Sequence, residues 1–241
     1  MLKGKELRGL AKLPAGSKVF LGDMTDIFHS DVSWEMLTKV FDAMAGLPKI
    51  TFQVLTKRPG RMAYFANEIL TLGCMVGYGS WGWPPNVWAG TSVESQKYAP
   101  RLDVLARVPA KVRFVSVEPM LGPVDLRPYF FKCSGACVPT PEDPICACKG
   151  LAIHQIIVGG ESGPGARPMD LAWARDLVAQ CQHTGAACFV KQLGAKPYTR
   201  EPLHYWNGEP AGFRDDRLYL KDRKGGDPEE WPTELRVREF P

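Results

Sequence analysis

Residues 112 to 120 read VRFVSVEPM, a run in which Phe114, Val115 and Val117 lead into Glu118. A short apolar run that closes on a polar residue suits a strand buried on both faces, as in a parallel sheet. Side chains at i and i+2 share a face, so Ser116 and Glu118 stand together and make that face hydrophilic towards the exit. Five further runs repeat the pattern outward: VFLGDMTD from Val19, TFQVLTKRP from Thr51, VWAGTSVES from Val87, HQIIVGGES from His154 and ACFVKQLG from Ala187. From Phe20 to Phe52, Trp88, Phe114, Ile156 and Phe189 the intervals are 32, 36, 26, 42 and 33 residues, room for one strand, one helix and two loops. Alternating strands and helices imply parallel pairing, and the expected fold is α/β, a partial TIM-type (β/α) barrel of about six parallel strands.

Asp23, Lys57, Glu94, Glu118, Glu161 and Lys191 all fall at the exits of these runs, where a βα barrel builds its mouth. The period-two step recurs as Gln53 with Lys57 and Ser92 with Glu94. A single such charge can simply mark where a buried strand meets solvent; recurrence over six runs is the stronger signal.

Between the runs, Ser33 caps a helix beginning at Trp34 whose apolar stripe is Met36, Leu37, Val40, Phe41 and Met44. Asp170 caps a second from Leu171, with Ala174, Leu177, Val178 and Cys181 inward and Gly185 as its stop. Pro59 and Pro100 sit where first-turn prolines belong.

The chain has 241 residues and 45% hydrophobic content, enough for one α/β domain. Its net charge of +4, from 30 basic and 26 acidic residues dispersed along the chain, tolerates a nucleic-acid partner without requiring one. No apolar stretch is long enough to span a membrane, no export signal is evident, and seven cysteines, an odd number, fit a reducing cytoplasm.

Two insertions interrupt the rhythm. Leu72 to Asn86 is rich in glycine, proline and tryptophan, and Trp81 and Trp83 read as packing the loop onto the barrel in preference to stacking on a planar ligand. The second, within 129–150, holds Cys133, Cys137, Cys146 and Cys148 as C-x3-C-x8-C-x-C. Four thiolates this close can surround one structural zinc; an iron-sulfur cluster or unligated thiols are the alternatives. Cys74, Cys181 and Cys188 read as core or surface thiols. The organisation expected is a barrel over residues 1–195 and an irregular tail over 196–241 that wraps it.

The series LGDMTDIFH, FQVLTKRPGRM, VWAGTSVES, RLDVLARVPA, FVSVEPMLGPVDL, IIVGGESGPGARPM and FVKQLG resembles a phage-associated family of unknown function. It is similar to the radical S-adenosylmethionine (SAM) barrels, the spore photoproduct lyase group in particular. On that pattern Thr56, Lys57, Ser92, Glu94, Glu118, Gly159, Gly160 and Glu161 would line the SAM and substrate cavity. Such proteins begin with a further strand and three clustered cysteines that hold an iron-sulfur cluster. The opening residues MLKGKELRGLAKLPAGSK contain no cysteine, so no cluster is expected in this chain.

Three readings follow. The first is a radical-SAM-like barrel in the host cytoplasm, catalytic when a cluster-bearing segment comes from elsewhere, and acting on nucleic acid by analogy with the lyases. The second is a non-catalytic protein whose zinc loop or rim engages a phage or host partner. The third is a metal-dependent hydrolase using Asp23, Asp26 and His29, although capping or solvated loop charge is the plainer role for those three.

Overall fold

The structure, a computed structural model, describes residues 9–22, 25–72, 82–130, 152–202, 205–206, 209–210 and 213–241. Every anticipated run forms a strand: β1 (Lys18–Leu21), β2 (Thr51–Thr56), β3 (Val87–Ser92), β4 (Arg113–Val117), β5 (Gln155–Gly159) and, after the two-residue β6 (Met169–Asp170), β7 (Ala187–Gln192). The six form one sheet in the order β1-β2-β3-β4-β5-β7. The order never reverses, so there is none of the switch point that a doubly wound sheet has. The fold is α/β with a parallel sheet flanked by helices, the architecture of a partial TIM-type barrel. The chain divides into two compact units, Met1–Ser92 with Pro100–Phe114, and Val93–Ala99 with Val115–Pro241.

The first unit pairs β1 with β2 and β2 with β3 in parallel register. Helix α1 (Trp34–Ala45) starts where Ser33 accepts a bond from Met36 N at 3.2 Å. Its buried stripe is Leu37, Val40, Phe41 and Met44; Met36, expected inward, is exposed because it lies at the edge of that stripe, beside the cap. Phe41 packs edge-on against Phe65 of α2 (Pro59–Leu72) and against Trp83, both at 4.9 Å between centroids. Trp83 is buried and donates to Val87 O at 2.8 Å, so its own ring packs at the start of β3. Trp81 and Cys74 lie outside the described residues. Pro59 opens α2 as expected, whereas Pro100 is the cap before the short α3 (Arg101–Leu105). Asn86 donates to Met44 O, Leu47 O and Ile50 O at 2.9, 3.1 and 3.0 Å, clamping the loop before β2 to the start of β3. Gly90 leaves room for the Phe114 ring, which a Cβ there would strike.

In the second unit β5 pairs with β7 in parallel. Between them runs α5 (Leu171–Thr184), capped by Asp170 and ended by Gly185 at φ 77°, with Ala174, Leu177, Val178 and Cys181 buried as its spacing demands. Gln180, also buried, accepts from Leu126 N at 2.8 Å and donates to Val124 O at 3.0 Å, tying α5 to the stretch ahead of the one-turn helix α4 (Arg127–Phe130). Cys181 and Cys188 are core thiols; hydrogen bonding between them and burial push the Cys181 thiol far above its usual range. Cys133, Cys137, Cys146 and Cys148 lie outside the described residues.

Residues 196–241 are more regular than their composition suggests. Here β8 (Pro197–Pro202) and β11 (Phe213–Arg217) pair antiparallel, β6 joins β8 in parallel, and β9 (Tyr205–Trp206) pairs with β10 (Glu209–Pro210). The β8–β11 pair carries the ion pair Arg200–Asp215 at 2.9 Å in place of an apolar alternation, which is why periodicity does not reveal it. Further on, Val190 N donates to Val237 O and Glu239 N to Cys188 O, both at 2.8 Å, so residues 237–239 lie antiparallel along β7.

Candidate functional site

Strand exits carry the charged groups in both units, with different local outcomes. In the first unit a cleft of about 200 Å³ is lined by Gly22, Asp26, Thr56, Lys57, Arg58 and Ser92 among others. Asp26 organises it. One carboxylate oxygen accepts from Thr56 Oγ1 at 2.7 Å and Phe28 N at 2.9 Å; the other accepts from Arg58 Nη1 at 2.8 Å and Lys57 N at 3.2 Å. Thr56 Oγ1 accepts in turn from Arg58 N at 2.9 Å, and Thr91 Oγ1 donates to Thr56 O at 2.8 Å. Four donors satisfy the carboxylate nearly completely, so its charge fixes the exit of β2. Thr56, Lys57 and Ser92 therefore lie around one cleft, while Asp23 lies outside the described residues.

The second unit gathers Glu118, Gly159 and Lys191 at the exits of β4, β5 and β7. Glu118 Oε2 lies 3.0 Å from Lys191 Nζ, with the carboxylate side chain 19% exposed and the lysine 48%. After the cis Glu118–Pro119 bond, Met120 N donates to Gly159 O at 2.8 Å and Leu121 N to Glu94 O at 2.9 Å. Two backbone bonds thus brace the turn that presents Glu118. Gly159 leaves space for that carboxylate, since a Cβ there would lie 3.0 Å from Glu118 Cδ. Gly160 has a backbone reason to be glycine: a Cβ would meet Leu193 O, and its N–H donates to Gln192 O at 3.0 Å.

Glu161 points to a different task. It forms a two-point pair with Arg167, at 2.7 and 3.0 Å, and accepts from Arg167 N at 2.9 Å. Those bonds hold its carboxyl down at about 2, well below the usual carboxylate range, and close the turn from Ser162 to Ala166. Glu94 is buried. Sequence reading missed Arg167 and Arg58 as partners; an arginine six residues past Glu161 across a glycine-rich turn is the signal that could have found the first.

Of the hydrolase trio, Asp23 lies outside the described residues, and the other two have partners of their own. Asp26 is occupied by its four donors, His29 Nδ1 faces Asp31 at 3.3 Å, and no group of three or more His, Cys, Asp or Glu side chains there is placed to hold a metal ion. No helix among the described residues is long and apolar enough to cross a membrane.

The model of the family described as "Protein of unknown function (DUF5131)" matches residues 2–219. The chain belongs to that family. No curated protein and no solved structure matches it.

Proposed function

We propose that this DUF5131 protein is a radical-SAM-like barrel whose second unit binds the amino-acid head of SAM, with catalysis arising when a cluster-bearing segment is supplied from elsewhere. The observation behind this reading is the Glu118–Lys191 pair at the carboxyl ends of β4 and β7. An α-amino acid carries an ammonium beside a carboxylate, so a part-exposed acid and base 3.0 Å apart offer a partner to each. Lys191 would hold the carboxylate and Glu118 the ammonium. A bare metal cation fits this donor set poorly, because the lysine charge opposes it.

When bound beside a reduced iron-sulfur cluster, SAM supplies reductive cleavage of its sulfonium carbon-sulfur bond. The residues of this chain would bind and orient: Glu118 and Lys191 fix the head group, and the bonds of Met120 and Leu121 keep Glu118 in place. The likeness to the photoproduct lyases brings a nucleic-acid substrate, phage association and the host cytoplasm into the same proposal. Cys133, Cys137, Cys146 and Cys148 would hold one structural zinc, which metal analysis of chelator-free protein checks: about one zinc per chain is expected.

A second reading, a non-catalytic binding protein, draws on Asp26 and Glu161. Two of the carboxylates at strand exits are committed to arginines and backbone donors, leaving fewer groups for acid-base work.

Calorimetric titration with SAM separates the two. Saturable binding is expected, weakened about tenfold or more by Glu118→Gln and by Lys191→Met through loss of a charged hydrogen bond. Absence of binding, or unchanged binding in both variants, favours the non-catalytic reading. After anaerobic treatment with iron and sulfide the chain alone should form no 5′-deoxyadenosine; its appearance would show that the cluster ligands are here after all.

A further inference from the structure

The exits of β5 and β7 also border a larger cleft of about 530 Å³, whose lining includes neither Glu118 nor Lys191. One side is the turn Ser162–Pro164 with Gly194 and Ala195; the other is the chain from Arg217 to Lys224. Close backbone packing holds the two sides together. Gly194 adopts φ 79° with a would-be Cβ 2.6 Å from Glu161 O, Gly225 packs on Gly194 in the same way, and Leu193 N donates to Gly225 O at 2.8 Å.

The cleft combines an exposed aromatic ring with cations. Tyr219 is 81% exposed, an unfavourable place for a large ring unless something covers it, and the Arg217 guanidinium lies 5.1 Å from its centroid. Arg223 and Lys224 complete the basic side. The carboxylates of the region are turned to other uses. Asp222 accepts from Gly226 N at 2.7 Å and Lys224 N at 3.0 Å, and Glu230 accepts from Lys221 N at 2.8 Å and Asp222 N at 3.1 Å. Asp215, Asp216 and Glu229 pair with Arg200, Arg214 and Arg236.

We propose that this cleft binds single-stranded nucleic acid, with a base stacked on Tyr219 and neighbouring phosphates on Arg217, Arg223 and Lys224. Every base has a π-face, so such a platform is sequence-tolerant, while the cations follow the backbone. An acidic peptide would satisfy the cations but has no use for the exposed ring. The proposal does not depend on SAM binding at Glu118, which has its own readout.

The test is fluorescence anisotropy with a labelled oligothymidylate about twelve nucleotides long, a length within single-strand site sizes. Intact protein should bind, and affinity should fall with rising salt. Tyr219→Ala should weaken binding about fivefold or more. The pair Arg223→Glu with Lys224→Glu should weaken it further and flatten the salt dependence by roughly one phosphate contact per residue. These side chains are exposed, so the unfolding midpoint should hold, and the second variant keeps the test decisive if the first is poorly folded. Failure to bind, or unchanged affinity in properly folded variants, overturns the proposal. Displacement by polyglutamate as effective as by unlabelled oligonucleotide would overturn it in favour of an acidic peptide. Equal displacement by thymidine monophosphate would overturn the strand in favour of a free nucleotide.

Discussion

Asp26 and Glu118 are both carboxylates beyond the end of a parallel strand, one in each compact unit, yet their surroundings differ. Asp26 accepts from Thr56, Phe28, Lys57 and Arg58, whereas Glu118 is paired with Lys191 and retains acceptor capacity toward a ligand. Position at a strand exit therefore leaves the role of a carboxylate open, and it is the number of donors already engaged that separates these two.

The widest separation should come from the paired glycines that follow Val158. Gly160→Ala would drive a Cβ into the backbone of Leu193, which cannot give way, and should cost about 3 kcal/mol in denaturant unfolding. Gly159→Ala meets only the movable Glu118 carboxylate at 3.0 Å, so it should cost under about 1 kcal/mol while displacing the acid. Equal losses would show that Glu118 is as fixed as backbone.

Next in size is the contrast of the carboxylates themselves. Asp26→Ala removes one acceptor from four donors and should cost about 2–3 kcal/mol. Glu118→Gln breaks a part-exposed pair and should cost less than about 1 kcal/mol. Urea unfolding of both variants checks this, and a reversed order would exchange their assigned roles.

The smallest effect should be seen at Glu161, whose folded pKa is depressed from 4.5 to about 2 by Arg167. A depressed carboxylate contributes stability above its unfolded pKa and loses it as pH falls through the folded one. The stability difference between the intact chain and Glu161→Gln should accordingly persist above pH 4.5 and fade between 4.5 and about 2. The pair is substantially exposed, so the effect should also shrink with salt. A difference independent of pH would mean that Glu161 acts by shape alone.

The inner strands β2 to β5 could be read from sequence because strands buried on both faces are apolar runs, and polar exits such as Ser116 with Glu118 mark their direction. The caps at Ser33 and Asp170 were equally local signals. What escaped were partnerships made across space. Asp26 and Thr56 are thirty residues apart, and Lys191 lies 73 residues from Glu118, distances at which spacing carries no information. The β8–β11 pair escaped for another reason, since its strands are held by charges such as Arg200 and Asp215 and leave no apolar period to detect.

Strand β7 is an edge of the six-stranded sheet, and a further segment of the chain lies along it. Val237 to Glu239 occupy hydrogen-bonding positions along β7 that would otherwise be open to a strand from another molecule. A segment so placed hides the strand-pairing groups of that margin, and removing it by proteolysis would bare a template for clumping.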